Sequence, residues 1–348
     1  MGGGIIGLSI SIALRKKGAA VLLVERGELG REASYAAGGM LVDYPPETPK
    51  ALQRLASASA AMYPEFAHEL EIESGMKVDL REQGTILIPS ADHAAPERTL
   101  SQSQLAELEP ALAANGICGA IFLKERSVDP RALTRAAIQT AKNRGVHFSS
   151  GDPVTEVNMS DGEISGVTTT KTSFLAPKVV NCAGAWSGSI GPQHLPTRPV
   201  KGQMLCLVMP ERTTLQHVIR SPQAYLIPRS DGRLLVGATV EESGFDKRTV
   251  PSTIQSLHQA ALELVPALRD AKILEDWAGL RPGSPDALPI LDATSTPGYY
   301  VATGHFRDGI LLAPITGQVM ADVISGSVPA HDLGAFSLQR FAASRLAS

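Results

Sequence analysis

Cysteine is scarce. The 348 residues contain three, Cys118, Cys182 and Cys206, with no C-x-x-C spacing and no neighbouring histidine cluster. That argues against a zinc site or a disulfide framework and predicts buried free thiols in a reducing cytosol, with no metal expected. Aromatic residues make up 5% of the chain, too few for a base-stacking platform. The net charge is -3, so there is no electrostatic case for nucleic acid or an anionic membrane as partner. No apolar run reaches the roughly 18 residues of a membrane span. No signal peptide is recognised, because Arg15-Lys16-Lys17 break the first apolar stretch. The expectation is therefore a cytoplasmic protein. Hydrophobic residues at 43% and charged residues at 19% allow a sizeable core, and the length suggests two domains.

The chain opens with Gly2-Gly3-Gly4-Ile5-Ile6-Gly7, which reads as G-x-G-x-x-G on Gly2, Gly4 and Gly7. An apolar helical run follows to Leu14, ending at Gly18. Ala20 to Val24 then reads as a strand that ends in Glu25. Glycines, helix, strand and acid in this order are the dinucleotide-binding fingerprint. The glycines let backbone approach a pyrophosphate, the helix N-terminus offers free N–H groups, and Glu25 can accept from a ribose hydroxyl. Only Met1 precedes the glycines, where the fingerprint ordinarily follows a buried strand. The strand that feeds the turn is expected to be missing, through a late start site or a truncation, with a less stable sheet and weaker cofactor binding as the result. The small residues Ala36-Ala37-Gly38-Gly39-Met40 imply close backbone approach, either to a packing partner or to a bulky ligand.

Further along, helices are predicted over 51–74, from Ser101 to Glu109 with a Ser101/Gln104 capping box, from Asp129-Pro130 to about Arg144, over 251–269, and from about Ile310 to Ile324. Strands are predicted at 84–89, 146–148, 179–184 and 299–304, and as a hairpin around Ser160-Asp161-Gly162. From Val200 to Val240 strands dominate, and 278–283 reads as a loop after a strand. The pattern is βαβ at the start, an antiparallel sheet in the middle and a strand–Gly–helix unit at the end. The predicted fold is α/β: a Rossmann-like domain (1–78, 128–192 and 278–345) interleaved with a mainly antiparallel substrate domain (79–127 and 193–277).

Four stretches together resemble the D-amino-acid-oxidase-like FAD-dependent oxidoreductases. They are Gly2 to Glu25 with the Ala36–Met40 loop, Asn181-Cys182-Ala183-Gly184-Ala185-Trp186-Ser187, Trp277 to Gly283, and Gly304-His305-Phe306-Arg307-Asp308-Gly309-Ile310-Leu311-Leu312-Ala313-Pro314. The last two look most like the glycine-oxidising, thiamine-pathway branch of that family. The resemblance implies non-covalent FAD, since the late motifs lack the cysteine by which some relatives attach flavin. It places Gly2, Gly4, Ile5, Ile6, Gly7, Glu25, Arg26, Ser34 and the Ala36–Met40 loop along the cofactor. Val154 would meet the adenine side through its backbone, and Cys182, Ala183, Gly184 and Trp186 would also bind the cofactor. His305, Phe306, Arg307, Asp308, Gly309, Ile310 and Leu311 would wrap the pyrimidine edge of the flavin. Arg281, Tyr225 and Arg307 would bind the substrate carboxylate.

The implied reaction is oxidative deamination of glycine or a similar small amine by hydride transfer to flavin N5. Oxygen is the final acceptor, hydrogen peroxide a product, and a homotetramer the assembly. No side chain is required as acid or base, and His305 is read as a packing or hydrogen-bonding residue. Asp43 departs from the family pattern and either meets a substrate amine or faces water. A D-amino acid or secondary-amine dehydrogenase, and a flavoprotein with impaired FAD binding, stand as alternatives.

Overall fold

The computed structural model describes residues 1–44, 47–89, 99–113, 117, 119–212 and 214–342. Cys118 lies outside the described residues. The helix Ile5–Lys16 forms on an apolar run and is buried nearly all round, because three helices surround it: Gln53–Ser74, Pro130–Asn143 and Ala313–Ile324. Its crossing with the last helix is close. A side chain at Gly317 would strike the Ser9 backbone. Each large apolar residue buried here, such as Leu8, Leu133 or Met320, contributes about 1.5–3 kcal/mol.

Two short ladders accompany these helices. Leu22–Glu25 pairs in parallel with His147–Ser150, and Val179–Asn181 pairs in parallel with Tyr299–Thr303, which pairs antiparallel with Ile290–Ala293. Met1 and Gly2 lie between the ladders. The Met1 ammonium donates to the Val180 carbonyl (2.9 Å), the Met1 carbonyl accepts from Cys182 N–H (2.9 Å), and Gly2 N–H donates to the Val24 carbonyl (2.8 Å). The hairpin around Asp161 is present as Val154–Ser160 with Glu163–Thr169, extended by Ser173–Leu175.

The largest sheet has seven strands, in the order Lys272–Gly283, Arg198–Val208, Arg233–Gly237, Tyr225–Pro228, Val218–Arg220, Thr85–Leu87 and Ile121–Leu123. Alternation gives it two faces. Leu205, Leu207, Leu226, Leu234 and Val236 pack on the helices Pro251–Leu264 and Gln102–Leu108. Met204, Cys206, Ile227 and Leu235 face the other way with Tyr225 and Trp277.

Three elements differ from the sequence reading. Residues 278–283 are strand rather than loop: they pair with Arg198–Gln203 along one unbroken ladder. Pro282 is tolerated because this is an edge strand. The helix expected over 251–269 stops at Leu264, and Pro266 starts a separate 3-10 turn to Asp270, since the residue before a proline avoids helical geometry. The last helix begins at Ala313 rather than Ile310. Both capping predictions hold: Ser101 and Gln104 form a capping box, and Asp129 accepts from Arg131 N–H (2.8 Å) and Ala132 N–H (3.2 Å). Among the described residues no helix is long and apolar enough to cross a membrane.

Asp129 does more than cap. It is buried, and its second oxygen takes Arg233 Nη2 from the seven-stranded sheet (2.6 Å). Arg229, the Arg233 bond and the helix N–H groups hold its carboxyl below the usual range against the opposing effect of burial. Asp129→Ala is expected to cost about 2–3 kcal/mol, read as a lower urea midpoint. Because the folded carboxyl ionises below its unfolded value, this contribution is present above about pH 4 and fades as pH falls through the folded pKa.

Candidate functional site

The glycine turn closes on itself. Gly2 has φ +98° and presses on the Cys182 carbonyl, while Gly7 presses on the Gly2 carbonyl, so neither position has room for a side chain. Glu25 is buried at the end of its strand. One carboxylate oxygen accepts from Gly3 N–H (2.7 Å) and the other from Gly27 N–H (3.0 Å). Each oxygen keeps a lone pair, so Glu25 both fixes the turn and remains an acceptor for a ribose hydroxyl. Gly4 precedes the first helix without a side-chain cap, and Ser34 Oγ accepts from Ile5 N–H instead (2.9 Å). Ile6 and Gly7, in the first turn, have no helical partner for their N–H groups and can receive phosphate oxygens.

Arg26 lies 3.5 Å from the ring centroid of Trp186 and donates to Glu32 (2.6 Å). Asp152 N–H donates to the Glu25 carbonyl (3.0 Å), which brings Val154 to this end of the cleft. The Cys182–Trp186 segment rests on residues the sequence did not single out as site residues. The buried Asn181 side chain donates to the Ser187 and Ile190 carbonyls (3.1 and 2.9 Å) and contacts the Tyr299 hydroxyl (2.9 Å). Burial pushes the thiols of Cys182 and Cys206 up to about 11.

The Ala36–Met40 loop lies directly on the seven-stranded sheet. A side chain at Gly38 would strike Ile227 and approach Tyr225, and one at Gly279 would strike Ala36. Trp277 Nε1 donates to the Ala36 carbonyl (3.1 Å), and the Gly39 carbonyl accepts from Val128 N–H (2.8 Å). Arg229 was not anticipated. It is fully buried, and its guanidinium donates to the Gly38 carbonyl. Burial draws it down to about 10, opposed by Asp129 and Asp79, so it stays charged. An arginine beside a turn carries no sequence signal for such a role.

Arg281, Tyr225 and Arg307 come together. Arg281 Nη1 donates to the Lys201 and Thr239 carbonyls (3.2 and 3.0 Å), and its guanidinium lies over Gly202, where any side chain would displace it. The Tyr225 ring lies over Gly237, with the hydroxyl 3.7 Å from Met204 Sδ. Burial raises the Tyr225 pKa, opposed by the charge and hydrogen bond of Arg281 and the charge of Arg307, so the phenol remains a donor. Arg307 is exposed on the Gly304–Gly309 turn, 5.2 Å from the Phe306 ring. Two cations and a neutral hydroxyl on one surface can clamp a carboxylate.

The turn that carries Arg307 is pinned from both sides. Phe306 N–H donates to the Pro282 carbonyl (2.9 Å), next to Arg281. On the other side Ser59 Oγ donates to the Leu311 carbonyl (2.6 Å) and the Tyr63 hydroxyl to the Ile310 carbonyl. His305 is buried, contacts Thr316 Oγ1 (3.2 Å), and is pushed down to about 3 by burial. A ring held neutral behind the turn fits the packing role expected of it. Burial pushes the Asp308 carboxyl up to about 6, with Arg307 pulling it back. Asp43 lines a cleft of about 200 Å³ with Leu41, Ser57 and Glu125. Glu125 is pushed up to about 7 by burial, against Arg220.

These features fit FAD: a glycine cradle that side chains would fill, a buried acceptor for ribose, and free N–H groups at a helix start. A family model described as FAD dependent oxidoreductase (DAO) matches residues 1–323. Glycine oxidase of Geobacillus kaustophilus is 33% identical over 98% of this chain and 96% of its own. The bifunctional protein ThiO/ThiG of Synechocystis is 36% identical over 98% of this chain but 53% of its own, so the chain spans about half the length of that relative. The crystal structure of glycine oxidase from Geobacillus kaustophilus superposes with a TM-score of 0.91 at 32% identity, covering 97% of each chain. The chain belongs to the DAO family of FAD dependent oxidoreductases, and FAD is its cofactor.

Proposed function

We propose that the chain oxidatively deaminates glycine and similar small amino acids. Amino acid, oxygen and water would give the oxo acid (glyoxylate from glycine), ammonia and hydrogen peroxide. The convergence of the Arg281 and Arg307 guanidiniums with the Tyr225 hydroxyl carries this reading, and the full-length similarity to glycine oxidase supports it. FAD, when bound, supplies the two-electron acceptor.

The chain's own residues bind and orient. Arg281 is held on its strand by two carbonyls and presents its remaining N–H groups to a carboxylate. Tyr225 donates its hydroxyl to the same group. Positioning supplies most of the rate enhancement. A role in thiamine thiazole formation, a homotetrameric assembly and a cytoplasmic location belong to the same proposal.

Anaerobic addition of glycine to the purified flavoprotein is expected to bleach the oxidised-flavin absorption band. No bleaching with glycine, sarcosine or D-alanine overturns the reading. Arg281→Met is expected to lower kcat/KM for glycine about 100-fold, or about 2.7 kcal/mol, mostly through KM. Tyr225→Phe removes one donor and is expected to cost about tenfold. Oxygen-consumption kinetics on both variants check these values.

A further inference from the structure

Residues 241–249 leave the seven-stranded sheet and return at the helix Pro251–Leu264. Both ends are tied down. Glu241 and Lys201 exchange backbone hydrogen bonds (2.9 Å each), and the Gln203 side chain donates to Glu241 Oε1 (2.8 Å) and accepts from Val250 N–H (2.7 Å). Between these ties the segment reads Glu-Glu-Ser-Gly-Phe-Asp-Lys-Arg-Thr, a polar run with one large apolar residue. That residue, Phe245, is 49% exposed.

Phe245 reaches the segment that follows the strand Val179–Asn181. It stacks on Trp186 with ring centroids 5.2 Å apart and planes at 29°. The same indole carries the Arg26 guanidinium. Two residues on, Lys247 Nζ donates to Glu32 (3.0 Å), the acid that also holds Arg26.

The position of this stack matters. Arg26 is the first residue beyond the carboxyl end of the strand Leu22–Glu25, and Trp186 follows the carboxyl end of Val179–Asn181. In open α/β sheets dinucleotides lie in the crevice outside the carboxyl ends of the parallel strands. The glycine turn sits at that edge, with Gly2 against Cys182. Arg26 and Trp186 therefore approach the crevice from its two flanks, and Phe245 covers their meeting point from a different sheet.

We propose that residues 241–249 are a strap that retains FAD, with Phe245 stacked on Trp186 across the mouth of the cofactor crevice. FAD leaves when that contact opens. The aromatic contact carries the retention, because an exposed ion pair such as Lys247–Glu32 contributes little.

The test follows release of FAD from the holoprotein by the rise of free-flavin fluorescence, and titrates the apoprotein with FAD. Neither readout involves substrate, so failure here leaves the glycine reading untouched, and the reverse holds. Phe245→Ala is expected to release FAD about five- to tenfold faster and to weaken its binding, with Phe245→Tyr behaving as the parent. Lys247→Ala is expected to change release less than about twofold. The apoprotein melting temperature is expected to be the same in all four proteins. FAD release from Phe245→Ala at the parental rate overturns the proposal. So does a loss of apoprotein melting temperature in Phe245→Ala that accounts for the whole change in FAD binding.

Discussion

The contact on which the site depends is the one between the Ala36–Met40 loop and the seven-stranded sheet. Gly38 lies against the Tyr225 and Ile227 side chains, and Ala36 against Gly279, so a side chain added at either glycine would push the two layers apart. Trp277 and Arg229 then fasten the loop carbonyls to the sheet. Small residues at a junction can serve a ligand or a neighbour. Here the sheet itself requires them, and the Ala36–Met40 loop is thereby registered against the strands that carry Tyr225 and Arg281.

Electrostatics divide along the same surface. Structural cations are compensated: Arg229 faces Asp129 and Asp79, and Arg220 holds Glu125 and Glu47. Arg281 is held instead by two backbone carbonyls and the Tyr225 hydroxyl, and the Asp308 carboxyl feels the charge of Arg307. A positive surface with incomplete compensation lowers the cost of bringing in an anion. Site and scaffold thus use the same residue type, distinguished by whether a carboxylate of the chain already answers the charge.

Much of this was legible in the sequence where local rules decide the outcome. Gly2 and Gly7 announce a tight turn, Asp129-Pro130 and Ser101/Gln104 announce helix starts, and Leu257 and Ala261 announce a buried helix face. Tertiary partners were not legible. Nothing local marks Ser59 and Tyr63 as the groups that hold the 304–312 turn, or Asn181 as the side chain that holds the segment around Trp186. Arg229 sits beside an ordinary turn signal. The stretch Ala278–Gly283 looked like loop because it holds two glycines and a proline. Backbone pairing with Arg198–Gln203 outweighs that composition, and Gly279 makes room for Ala36. Arg281 was identified by the motif around it, yet its rigidity comes from the ladder.

The helix Ile5–Lys16 packs on Ala313–Ile324, Leu22–Glu25 pairs with His147–Ser150, and Tyr63 bonds the Ile310 carbonyl 247 residues away. Contacts so distant along the chain make folding slow. The glycine turn is synthesised long before the helix Ala313–Ile324 that encloses it. The apolar faces of the helix Ile5–Lys16 therefore wait, uncovered, until Ala313–Ile324 has been made. For this protein the interval before the helix Ala313–Ile324 docks is a period of aggregation risk, because the apolar surface it covers is then exposed.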